Sequence, residues 1–179
     1  MYPDPYIDFL VHFHGSRDYF ECHEILEEYW KQTEENKQKR SVWVGLIQIS
    51  VALYHQRIGN MKGACRILRK GLGIIKENKE SIIKLGIDYD QLLIILRKRL
   101  AEINECISYY SINLPIHDQK LLETAISHCN YLGYTWNEKS DLSNTSLVKK
   151  HALRDRQSVI QEREEQLQLR KRKSKRPDS

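Results

Sequence analysis

The chemistry-bearing residues of this chain gather in one short run, Asp-Tyr-Phe-Glu-Cys-His-Glu-Ile-Leu-Glu-Glu-Tyr-Trp, residues 18–30. His23 and Glu27 stand four residues apart in it, so on a helix their side chains share one face, and Trp30 follows close to a turn further on. An imidazole nitrogen and a carboxylate oxygen are both donors for a divalent cation, zinc or one similar. Without a cation the same pair forms a hydrogen bond in which Glu27 fixes the tautomer of His23, and buried polar groups need such partners whether or not they do chemistry.

A cation needs at least one more protein ligand. His55 is the leading choice, because it ends the next helical segment seven residues beyond Gln48, on nearly the same stripe. If that segment runs antiparallel to the first, the stripe faces His23 and Glu27. Glu24, His14 and His12 are reserves. An open coordination position on such an ion would support hydrolysis, and the rival reading is a closed polar cluster of His23, Glu27, Gln48 and His55 that does nothing chemical. The sequence contains no His-Glu-x-x-His, no glycine-rich phosphate loop and no Gly-x-Ser-x-Gly elbow.

The elements that must position these groups read as helices throughout. Ile7, Leu10, Val11 and His14 recur at helical spacing until Gly15-Ser16, and the hydroxyl of Ser16 can cap the next helix. That helix is expected over about 17–36, with Tyr19, Cys22, Ile25, Leu26, Tyr29 and Trp30 as its apolar stripe. Residues 41–57 are apolar nearly all round, which marks the most buried helix of the fold. Gly59-Asn60 makes a tight turn, and Gly63 with Ala64 is expected to let the following helix, about 62–75, approach its predecessor closely. A short helix ends at Gly86. Asp88 caps a long one reaching about residue 109 with Ile107 facing inward, and Asp118 caps another over 119–132.

There is no convincing strand signal, and the fold class is all-α: a compact bundle of antiparallel helical hairpins, paired as in tetratricopeptide repeats, with a charged helical extension. A weak echo at an offset of 42 residues, between 18–30 and 60–72, fits two packed hairpins and not a solenoid. The expected organisation is a core over 6–110, a linker with a docked helix over 111–145, and a basic tail over 146–179.

The run His23-x-x-x-Glu27-x-x-Trp30 preceded by Asp18-Tyr19-Phe20, together with Trp43-x-Gly45-Leu46-Ile47-Gln48, His55 and Gly59-Asn60-x-x-Gly63-Ala64, resembles a bacterial and archaeal family designated domain of unknown function 309. The resemblance spans about residues 6–72. It implies a small helical bundle with metal binding at the His-x-x-x-Glu motif, and it brings no established activity. Trp30, Trp43, Gln48 and Asn60 are expected to support the cluster.

Charge is unevenly spread. Of the formal net charge of +5, residues 148–179 contribute +6 through eleven Lys or Arg against five Asp or Glu, leaving the rest near neutral. The densest run, Arg170-Lys171-Arg172-Lys173, permits weak contact with nucleic acid, although it lacks the interleaved aromatics that stack on bases. Cys22, Cys65, Cys106 and Cys129 are widely spaced with no Cys-x-x-Cys pair, as expected of reduced thiols in the cytoplasm. The opening Met-Tyr-Pro-Asp-Pro has no basic stretch followed by an apolar one, and no apolar run is long enough to span a membrane. The expected role is a cytoplasmic interaction or adaptor module with an unknown protein partner; the alternative is a metal-dependent hydrolase using His23, Glu27 and His55.

Overall fold

A computed structural model describes residues 1–33 and 40–150. Among them the order is α1 (Asp4–Val11), a π-helical turn (His12–Ser16), α2 (Tyr19–Thr33), α3 (Val42–Arg57), α4 (Met61–Glu77), α5 (Lys79–Lys84), α6 (Tyr89–Asn104), α7 (Gln119–Tyr131) and the short α8 (Thr145–Val148). The described residues form no strand, only an isolated bridge between Ile87 and Ile116. The all-α bundle expected from the sequence is the fold. Residues 1–148 make one compact unit. The extension beyond 150, with the run Arg170 to Lys173, lies outside the described residues.

At the centre is α3. Its burial is nearly all round, including Leu46, Ile49, Ala52 and Leu53 at 0% exposure, because the apolar residues of 42–54 leave no face for water. Ser41 caps it by accepting from the backbone N–H of Val44 at 3.5 Å. On one side α2 packs against it, and on the other α4 returns through the three residues Ile58, Gly59 (φ +79°) and Asn60. The α3–α4 approach is close where the sequence has glycine on both helices. A Cβ on Gly45 would lie 2.8 Å from Cδ1 of Ile75, and one on Gly71 would lie 2.9 Å from Cβ of Gln48. The paired numbers run in opposite directions, so the two helices form an antiparallel hairpin. The expected contact at Gly63 is different: its missing side chain leaves room for the capping amide of Asn60, which sits 2.6 Å from where a Cβ would be and accepts from the Gly63 N–H at 2.9 Å.

Three further expectations shift for physical reasons. Asp18, not Ser16, caps α2: its carboxylate accepts from the Glu21 N–H at 3.0 Å, while Ser16 accepts from Asp18 N–H at 3.3 Å and holds the cap in place. The long helix stops at Asn104 and does not reach 109. Gln56 donates to the Ile107 carbonyl at 3.1 Å, Cys106 turns to φ +57°, and Ile107 is left 44% exposed. Cys65 is half-exposed and its thiol donates to Asn104 Oδ1 at 3.0 Å, whereas Cys22 is buried as expected; all four thiols are free.

The segment after α6 is held by buried cations that the apolar pattern does not announce. Arg17, in the left-handed region at φ +56° and 1% exposed, donates to the carbonyls of Phe13, Ile112 and Glu138 and to Asn113 Oδ1, all at 2.6–2.8 Å. Charge-assisted bonds of this kind are the strong ones. Arg57 donates to the Arg17 carbonyl at 2.7 Å and lies 4.8 Å from the ring centroid of Tyr19, whose hydroxyl meets that of Tyr109 at 2.7 Å. His14 is 1% exposed, stacks on Trp136 at 4.3 Å and bonds Asn137 Oδ1 through Nδ1 at 2.7 Å. Burial holds its pKa down at about 3. No described helix is long and apolar enough to cross a membrane.

Two measurements check this packing. Gly71→Ala should lower Tm by an amount corresponding to about 1–3 kcal/mol, since its Cβ meets the stem of Gln48 at the helix contact. Gly73→Ala, with nothing within 4 Å, should raise stability by about 0.5–1 kcal/mol through helix propensity alone. Because His14 is neutral in the fold and titrates near its ordinary 6.5 when unfolded, its contribution is complete above pH 6.5 and is lost as pH falls toward 3. The decline between pH 6.5 and 5 in urea-unfolding midpoints, above the ordinary carboxylate range, should flatten in His14→Phe.

Candidate functional site

The outward flank of α2 presents His23, Glu24 and Glu27, because the opposite stripe of Tyr19, Cys22 and Leu26 is fully buried in the core. His23 Nε2 lies 3.1 Å from Glu27 Oε2, and His23 Nδ1 lies 3.3 Å from Glu24 Oε1. Both ring nitrogens therefore face carboxylates. Either nitrogen, when it carries a proton, donates to the carboxylate beside it. Lys31 Nζ takes the other oxygen of Glu27 at 3.0 Å. The hydrogen bond from His23 is the largest influence on the Glu27 carboxyl; with help from Lys31 and against the opposing effect of burial, it brings the pKa down to about 2.

Facing this flank is a cleft of about 240 Å³ lined by His23, Glu27, Trp30, Val44, Ile47, Gln48 and Lys70. Three helices build it: α2 supplies the imidazole and carboxylate, α3 contributes Val44, Ile47 and Gln48, and α4 contributes Lys70. Of the expected cluster of His23, Glu27, Gln48 and His55, the cleft gathers the first three, with Trp30 beside them. The expectation of a closed, buried cluster is not met: His23, Glu24 and Glu27 have 28%, 34% and 33% of their side-chain surface exposed. Gln48 is not needed to satisfy the ring, since Glu24 and Glu27 already occupy both nitrogens.

His55 stands elsewhere. It lies seven residues past Gln48, about 10 Å along the helix axis, and bonds Asn60 Nδ2 through Nδ1 at 2.9 Å at the α3–α4 turn. Asn60 thus serves the turn and the α4 cap instead of the cleft. Trp43 packs edge-on to Tyr29 at 5.0 Å and to Tyr6 at 5.9 Å, tying α3 to α2 and α1. His12 pairs with Ser16 at 2.9 Å, and His14 with Asn137. Of the reserve ligands it is Glu24 that joins the pair: donor atoms of His23, Glu24 and Glu27 all lie within 4.8 Å of one another. Its adjacency to His23 was the available signal, outweighed in the sequence by the attraction of a second histidine.

One feature of the cleft and one network outside it carry no signal in the sequence. Lys70 reaches the site from 40 residues beyond the motif, which only the α3–α4 hairpin brings about. The aromatic and hydroxyl network of Tyr19, Tyr109, Ser111 and Ser140 around Arg57 also had no motif to announce it.

The fold and this flank define a small helical-hairpin protein with a His/Glu-faced cleft. The chain belongs to the family described as "Domain of unknown function (DUF309)", whose model matches residues 6–67. Over 171 residues it is 48% identical to the "Uncharacterized protein YpuF" of Bacillus subtilis (strain 168), covering 96% of this chain and 98% of that one. No solved structure matches.

The His23–Glu27 bond has a direct readout. With the fold intact, the Glu27 carboxyl should stay ionised down to about pH 2, and its stabilising effect is lost only as pH falls from the ordinary 4.5 through that value. In His23→Ala, carbon-detected NMR should find the Glu27 titration moved back up toward 4.5.

Proposed function

We propose that this protein is a cytoplasmic, non-enzymatic interaction module whose α2–α3–α4 cleft binds a divalent cation and, beside it, a group of a partner protein. The observation that carries the reading is the gathering of one imidazole and two carboxylates within 4.8 Å at the half-exposed edge of a cleft. That donor set suits zinc or a similar ion. Nε2 of His23 and the Oε2 of Glu27 would hold it. Glu24 would keep its bond to Nδ1–H and so orient the ring, the role carboxylates commonly play behind a metal-bound histidine. Gln48 offers an amide oxygen from α3. Free cysteines spread through the fold accord with a reducing compartment.

The non-catalytic reading rests on how the titratable groups are tied. His23 is engaged on both nitrogens, and Glu27 stays ionised far below neutrality. A carboxylate held ionised that far down is not poised near pH 7 to take up and release a proton, which is what general acid–base work asks of it. The second reading, a metal-dependent hydrolase, is favoured by one feature, the opening of the donor edge into a cleft that also holds the Lys70 ammonium. A bound cation would supply Lewis-acid polarisation there.

Protein purified without a histidine tag should carry, or take up on titration, about one equivalent of zinc or manganese with release of a proton. His23→Ala and Glu27→Gln should abolish uptake, and Glu24→Gln should weaken it by about 10–100-fold. Negligible uptake by the unaltered protein would end the cation reading. Cation-dependent hydrolysis of a nitrophenyl ester or phosphate, lost in His23→Ala, would replace the module by the enzyme.

A further inference from the structure

We infer that the outer ridge of α4 is a docking surface for the phosphodiester backbone of a double-stranded nucleic acid. It is a separate surface from the expected tail contact and does not depend on the cation reading. Between Glu35 and Glu77 the sequence contains no acidic residue and nine Lys or Arg. The fold gathers five of those cations on one helix: Lys62, Arg66, Arg69, Lys70 and Lys76 of α4 are all exposed. Lys62, Arg66, Arg69 and Lys76 fall at helical spacing on a single stripe, and Lys70 flanks it. The apolar stripe of the same helix, Ala64, Leu68, Leu72 and Ile75, is consumed by the core. The cations are therefore fixed outward by the packing behind them.

The next helix extends the ridge. The bonds between Cys65 and Asn104 at 3.0 Å and from the Tyr89 hydroxyl to the Lys76 carbonyl at 3.4 Å set α6 antiparallel to α4. That register brings exposed Arg97 level with Lys70. Two acidic residues at the margins are already engaged: Glu77 pairs with Arg40, and Glu102 accepts from Tyr110 and sits 3.5 Å from Arg99.

Charge complementarity selects a polyanion, and the character of the ridge selects which one. Lys62 to Lys76 spans about 21 Å of helix, a length over which each strand of a duplex carries about six phosphates. An interfacial membrane helix would need a free apolar face to insert, and that face of α4 is inside the protein. Single-stranded readers stack bases on aromatics, and the basic stripe has none. What remains is contact to phosphates without base readout, which fixes position and not sequence.

Fluorescence anisotropy of the full chain with a 20-base-pair DNA duplex and the matching RNA duplex, over a salt series, tests this. Affinity should fall linearly with salt on a log–log plot, losing about 0.9 of slope per phosphate contact removed. Lys62→Glu/Arg66→Glu/Arg69→Glu, with circular dichroism unchanged, should bind at least tenfold more weakly, and with a slope smaller by about 2–3. If that variant unfolds, the pair Lys76→Glu and Arg97→Glu should lower the slope by about 2. The DNA and RNA arms identify the duplex. Equal affinity and slope in a folded variant would overturn the inference, as would binding to phosphatidylglycerol vesicles with none to either duplex.

Discussion

The whole arrangement follows from the need to cover α3. A helix whose residues are apolar on nearly every side cannot stay at a surface, and burying such side chains is worth about 1.5–3 kcal/mol each for the larger ones. Water must be excluded around the full circumference, so several elements have to be laid against it. On one flank that element is α2, and on the other it is α4. Each gives its apolar stripe to α3 and keeps its charged stripe for solvent. The cleft is the gap these two covering helices leave over Val44, Ile47 and Gln48.

The two covers differ in charge, and that difference gives the molecule its functional grain. The outer flank of α2 carries Glu21, Glu24, Glu27 and Glu28, whereas α4 has no acid before Glu77. One side of the cleft is thus an acidic wall with a histidine in it. The other side is a basic wall, and Lys70 belongs to both features. The acidic side gathers the donors suited to a cation, and the basic side faces outward over the length of a helix.

A second layer of order comes from cations placed where cations are costly. Arg17, Arg57 and Arg99 are almost fully buried, and unpaired charge inside a protein is strongly unfavourable. Arg17 answers this with four hydrogen-bond acceptors, one from its own preceding turn and three from two distant stretches of chain. Arg99 bonds Gln56 Oε1 and the Tyr110 carbonyl and lies 3.8 Å from the Tyr110 ring centroid. These contacts pin the irregular segment after α6 to the α1–α3 face, where no apolar periodicity would have held it. They also explain why α6 ends early: the chain must turn inward to deliver Tyr109 to Tyr19.

The sequence by itself determined the helices, the turn at Gly59-Asn60, the caps at Asp88 and Asp118, the primacy of α3, and the pairing of His23 with Glu27. All of these depend on spacings within a turn or two, or on the polarity of single residues, and such local terms are written in order along the chain. Tertiary structure alone decided the third donor, the exposure of the pair and the partners across the cleft. His55 missed the site because distance along a helix axis grows with each residue even when the stripe stays the same. Lys70 reached it because glycines at 45 and 71 let two backbones close together. Exposure, register and the reach of a buried arginine depend on which surfaces meet, and residue spacing carries no record of that.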